Sequence, residues 1–72
     1  MIELRFFAAA REAVGASTLT VPAGALSAVL APFDSPVLAR CSFLVNGVSV
    51  TDRSIILGDG DRVDVLPPFA GG

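Results

Sequence analysis

Apolar and polar positions alternate from the start of the chain. Ile2, Leu4 and Phe6 fall on one side, and Glu3, Arg5 and Phe7 on the other. A period of two over six residues predicts a half-buried strand. Ala8 to Val14 is alanine-rich and predicts two turns of helix, with Gly15 placed where a left-handed glycine would end it. Alternation returns at Thr18 to Val21, with Leu19 and Val21 inward and Pro22 closing the strand. Leu26, Val29 and Leu30 share one face at helical spacing, which predicts a short second helix over Ala25 to Leu30, broken by Pro32 and Pro36. Val37 to Arg40 is read as one further turn.

From Ser42 the pattern is again that of strands. Phe43-Leu44-Val45 and Val48-Ser49-Val50 flank Asn46-Gly47, a pair suited to a type I′ hairpin turn because both central residues must take positive φ. Ile55 to Leu57 is read as a loop or short turn with buried side chains, and Gly58-Asp59-Gly60-Asp61 as a second tight turn. Arg62 to Leu66 alternates once more, with Val63 and Val65 inward. Hairpins alone cannot hide this much apolar surface, so a helix must pack across one face of the sheet. If the first and last strands are neighbours they run parallel, with a right-handed crossover. The expected architecture is α+β, a β-grasp (ubiquitin-like) fold: a mixed sheet of four to five strands with a short helix across one face, in a single domain over residues 1–72.

The outer face of that sheet carries a signal of its own. With Glu3 level with Arg62, the outward residues pair as Glu3 with Arg62, Arg5 with Asp64, and Phe7 with Leu66. The two charged pairs suit a solvated face. Phe7 and Leu66 are large and apolar on the water side, and Leu44 joins them from the next strand. Scattered exposed apolar residues are ordinary. A contiguous patch at the end of the sheet from which the tail emerges points instead to a partner surface.

Composition narrows the chemistry. The 72 residues are 53% hydrophobic and only 17% charged. A chain this small buries about 60% of the surface that its unfolded form exposes. No charge falls between Glu12 and Asp34, yet Ser17, Thr18, Thr20, Ser27, Pro22 and Pro32 interrupt that stretch. It is too polar to span a membrane. With no signal peptide at its start, the chain is expected to be soluble and cytoplasmic. The net charge of −2 argues against a nucleic-acid partner. There is no His, and the five basic residues are all Arg. This excludes a Ser-His-Asp triad, a Cys-His pair, a Schiff-base lysine and a P-loop. The single Cys makes neither an internal disulfide nor, without His, a zinc site. Cys41 is read as a small buried hydrophobe. Asp59-Gly60-Asp61 is read as a plain turn, because Ala70 stands where a calcium loop would need its twelfth-position carboxylate. No metal and no bound cofactor are expected.

The terminal Gly71-Gly72 is the remaining feature with chemical content. Without Cβ atoms this backbone can thread a narrow channel and approach reacting groups closely. Its carboxylate can attack the α-phosphate of ATP held by another protein. Pro67-Pro68 stiffen the exit and project a flexible tail from the sheet.

These stretches resemble a known family. Ile2 to Gly15, IELRFFAAAREAVG, resembles the opening of the molybdopterin synthase small subunit, the MoaD family of sulfur carriers, and Asp59 to Gly72, DGDRVDVLPPFAGG, resembles its close. The resemblance covers both ends and the Asn46-Gly47 hairpin, while Ala23 to Arg40 matches only in being helical and is short. It implies that an activating enzyme uses ATP to adenylate the Gly72 carboxylate, and that a persulfide sulfur donor then leaves a thiocarboxylate. The tail would enter the large subunit of molybdopterin synthase and pass sulfur to a pterin precursor. Gly72 would carry the sulfur and Gly71 give access, with Phe7, Leu66, Leu44 and Phe69 contacting partners. A thiamine-pathway carrier of the ThiS type, a carrier for cysteine or tRNA thiolation, and a ubiquitin-like binding module without tail chemistry are the alternatives.

Overall fold

The computed structural model describes residues 1–33 and 35–68. In chain order the strands are β1 (Ile2–Phe6), β2 (Thr18–Val21), β3 (Gly24–Ala25), β4 (Ser42–Val45), β5 (Val48–Val50), β6 (Ile56–Leu57) and β7 (Arg62–Leu66). Helix α1 spans Ala9–Val14 and α2 spans Leu26–Leu30, with 3-10 turns at Ala31–Phe33 and Leu38–Arg40. Five strands form one mixed sheet in the order β2-β1-β7-β4-β5, and β3 pairs with β6 in a separate two-stranded sheet. This is the β-grasp, with the first and last strands parallel at its centre and Glu3 level with Arg62, as the alternation predicts.

The inner face of the sheet makes the core. Ile2, Leu4, Phe6, Val63, Val65 and Phe43 project from β1, β7 and β4 onto Leu26, Val29 and Leu30 of α2. Ala10, Leu38 and Leu57 close its margins. Phe33 meets Phe6 edge to face, ring centroids 5.5 Å apart. The short crossover thus fills the core with one helix of five residues and the 3-10 turn that continues it.

Helix α2 has no side-chain cap at Ala25. Its first amides are taken by backbone carbonyls instead: Leu26 N donates to Ile55 O at 2.9 Å and Ser27 N to Arg53 O at 2.9 Å. The β3–β6 pair is what brings those carbonyls to the helix start, satisfying donors that would otherwise be orphaned. Here the structure corrects the expectation for residues 55–57. They include a strand rather than only a turn, and Ile56 is 77% exposed while Leu57 is buried. Pleat alternation over two residues sends one side chain each way.

The hairpin turn has Asn46 at φ 50° and Gly47 at φ 84°, as a type I′ turn requires. Asn46 also ties the hairpin to β7. Its Nδ2 donates to Asp61 Oδ1 at 3.0 Å and its Oδ1 accepts from Arg62 N at 3.0 Å. Helix α1 ends on Gly15 at φ 84°, whose N–H bonds Arg11 O at 2.8 Å. A Cβ at Gly15 would meet no heavy atom within 4 Å, so alanine there is opposed by backbone conformation alone. Gly15→Ala should lower the unfolding free energy by about 1 kcal/mol in urea titrations. Gly24→Ala, in equally open space without a positive φ, should differ little from the parent.

Candidate functional site

The outer sheet face is organised around Arg5. Its Nε donates to Asp64 Oδ1 at 2.8 Å and its Nη2 to Asp64 Oδ2 at 3.2 Å, a two-pronged pair between the parallel central strands. The same guanidinium lies over the Phe7 ring, 5.5 Å from its centroid. One side chain therefore clamps β1 to β7 and fixes the ring beside it. The i, i+2 spacing of Arg5 and Phe7 on one strand face is the sequence signal for this contact, which the cross-strand pairing of Arg5 with Asp64 does not by itself predict.

Asp64 is 8% exposed, flanked across the sheet by the longer side chains of Arg5 and Leu44. The hydrogen bonds from Arg5 hold its carboxyl below the usual carboxylate range, against an opposing push from burial. The expected Glu3–Arg62 pair is level in register, but no ion pair joins the two among the described residues. Arg62 reaches toward Asp64 instead, with Nε 4.0 Å from Oδ1. A long side chain on a pleated face can choose between neighbours, and here the more buried carboxylate wins.

Phe7 lies one residue past β1, and its N–H donates to Val65 O at 3.2 Å, carrying the ladder a step further. Phe7 is thus held facing out beside Leu66, at 38% exposure. Leu66 and Leu44 are half-buried. The β4–β7 register sets Leu44 opposite Asp64 and Ser42 opposite Leu66, so the two leucines are diagonal neighbours on this face. The structure brings Phe7, Leu66 and Leu44 to one side of the sheet, with Phe7 and Leu66 at the end where the chain leaves β7. Pro67 is buried and Pro68 exposed as it does so. Phe69, Gly71 and Gly72 lie outside the described residues. The turn into α1 is abrupt: Ala8 takes φ 49°, ψ −122°, an unusual conformation for a residue with a Cβ.

The other chemical candidates have structural employment. Cys41 is buried, its thiol donates to Val37 O at 3.2 Å, and burial pushes the thiol pKa up. Asp61 accepts from Gly58 N at 2.8 Å as well as from Asn46, and Asp59 pairs with the Met1 ammonium. These bonds keep both carboxyls below their ordinary range. Among the described residues no group of three or more His, Cys, Asp or Glu is placed to hold a metal ion, and no helix is long and apolar enough to cross a membrane.

The ThiS family model matches residues 4–72 of the chain. No curated protein matches it. Among solved structures, SAMP1 from Haloferax volcanii superposes with a TM-score of 0.81 at 23% identity, covering 99% of this chain and 98% of that one. The complex of subunits 1 and 2 of the molybdopterin-converting factor from Helicobacter pylori gives 0.73 at 26% identity, covering 99% and 97%. The HVO 2177 protein of Haloferax volcanii gives 0.75 at 30% identity, covering 99% and 85%.

The Arg5–Asp64 clamp makes stability depend on pH with a definite sign. A carboxylate whose folded pKa is depressed stabilises the fold above its unfolded value, about 3.9, and that contribution is lost as pH falls through the folded value. Asp64→Asn should therefore be less stable than the parent near neutrality. The gap in urea midpoint should close as the pH drops below about 4. A gap of constant size down to acid would deny the ion pair its role.

Proposed function

The chain belongs to the ThiS family of ubiquitin-like sulfur carriers, and from that membership we propose that it is the small, sulfur-donating subunit of molybdopterin synthase, serving molybdenum cofactor biosynthesis. The observation that carries the reading is the apolar patch of Phe7, Leu66 and Leu44 on the outer face, at the root of the segment that ends in Gly71-Gly72. The closing string DGDRVDVLPPFAGG and the likeness to a complex of molybdopterin-converting factor subunits support it.

In this role the chain supplies a handle and one reactive group. A carboxylate oxygen of Gly72 attacks the α-phosphorus of ATP on an activating enzyme, and pyrophosphate leaves. A persulfide sulfur then attacks the acyl carbon and AMP leaves. Reduction of the resulting acyl disulfide by a thiol frees the thiocarboxylate. The tail next enters the large subunit, where the sulfur passes to the pterin precursor. Gly71 and Gly72 let the backbone approach reacting groups without a Cβ in the way. Acid–base and nucleotide-binding groups belong to the partners, in keeping with a chain that has neither His nor Lys.

A thiamine-pathway carrier would share the fold and the tail chemistry, and the matching family model bears that name. The deciding experiment is mass spectrometry of the chain incubated with ATP, an activating enzyme and a sulfur donor. This is followed by addition of either the molybdopterin synthase large subunit with pterin precursor or a thiazole-forming enzyme. The expected result is an oxygen-for-sulfur mass gain confined to the C-terminal peptide, discharged by the large subunit. Deleting Gly72 should abolish it, and an unchanged gain would refute the carrier role. Phe7→Arg should weaken binding to the large subunit about tenfold or more with little change in thermal midpoint. Unfolding of that variant would make Phe7 a residue of the core instead.

A further inference from the structure

A groove of about 230 Å³ opens at the end of the sheet where the chain leaves β7. Its walls are Ala9, Pro36, Val37, Arg40, Pro67 and Pro68. Three of the wall residues are prolines and bring no backbone N–H, so Arg40 is the strongest donor facing the space. Arg40 is exposed, and the ion pairs among the described residues all lie elsewhere: Met1 with Asp59, and Arg5 and Arg62 with Asp64. Asp59 and Asp61 sit before the start of β7, at the opposite end of the sheet from the groove. An apolar floor beside one cation that has no ion-pair partner among the described residues is complementary to an apolar side chain flanked by a carboxylate.

The groove also adjoins the patch described above along the chain. Ala9 lies two residues past Phe7, and Pro67 directly follows Leu66. A partner seated on Phe7 and Leu66 therefore has the groove's walls within its reach. A second copy of the chain fits less well, because a two-fold contact centred here would bring two Arg40 cations together.

We propose that this groove is a second anchor for the large subunit of molybdopterin synthase, which inserts an element carrying a carboxylate beside an apolar side chain. The inference rests on the functional reading given above and adds to it a named contact outside the outer sheet face. Arg40 sets the strength and salt dependence of docking, and the groove wall sets its shape.

The test is calorimetric titration of the full chain against the purified large subunit at two salt concentrations. Arg40→Glu should weaken binding about tenfold or more with an unchanged thermal midpoint, and Arg40→Lys should retain most of the affinity. Added salt should weaken the parent and leave Arg40→Glu little affected. Ala9→Gln, which narrows the groove from an exposed helix position, should weaken binding without altering the salt response. If Arg40→Glu binds like the parent while Phe7→Arg does not, the groove proposal falls and the carrier reading stands. If the parent itself fails to bind the large subunit, both fall. A self-association in ultracentrifugation that Arg40→Glu abolishes would assign the groove to a second copy and overturn the proposal.

Discussion

Strands β1 and β7 are joined through residues 59 positions apart in the chain, and their parallel pairing is the contact on which the other elements depend. On the inner side Leu4 and Phe6 lie level with Val63 and Val65; on the outer side Arg5 grips Asp64. Strand β2 attaches only to β1, β4 attaches to β7, and β5 attaches to β4. Helix α2 then covers the apolar face that this central pair creates. A domain of this size has little surplus burial to lose, so loosening the pair removes the ground from every neighbour. The same pairing positions the outer face: Phe7 keeps its place because the ladder runs on to Val65, and its ring rests against the guanidinium that clamps the strands.

Much of this was legible in the residues because one face of each central strand is buried and the other is not. That contrast produces the period of two at Ile2 to Phe7 and Arg62 to Leu66, and it also fixes register, since a one-residue slip would exchange the faces. Asn46-Gly47 and Gly15 were legible for a different reason, their positive φ. The β3–β6 pair was not, because two residues are too few to show a period and its work is done by backbone groups. Ile56 therefore faces solvent where its apolar neighbours suggest burial. The Glu3–Arg62 pair failed at a finer level, where the register was right but the choice of partner belonged to the rotamer. At the site, Phe7, Leu66 and Leu44 were legible as outward apolar residues. The groove beside Arg40 was not, because it arises where three segments distant in sequence meet.

Several of the polar groups are engaged in holding the scaffold. Asp61 and Asn46 lock the turn into β7, Asp64 holds Arg5, and the Cys41 thiol is bonded and buried. Hydrogen bonds to the carboxylates favour their charged forms, leaving them poor proton donors. In the proposed carrier role this is the useful condition. A scaffold without reactive side chains presents its one activatable group to several partners without competing with it.

The position of β7 has a consequence for how the protein is made. It is central in the sheet yet the last of the described strands in chain order, so the sheet cannot close until all its other strands have been made. Until residues 62–66 emerge, β1 has only β2 as a neighbour, the β4–β5 hairpin has no edge to join, and the apolar face beneath them stays open. Contacts of such long sequence separation also form late for reasons of chain entropy. A product of synthesis interrupted before residue 62 would therefore lack its fold and would be open to proteolysis. Strand order in this architecture makes a central strand the last to arrive, so the folded pool admits only chains made at least through β7.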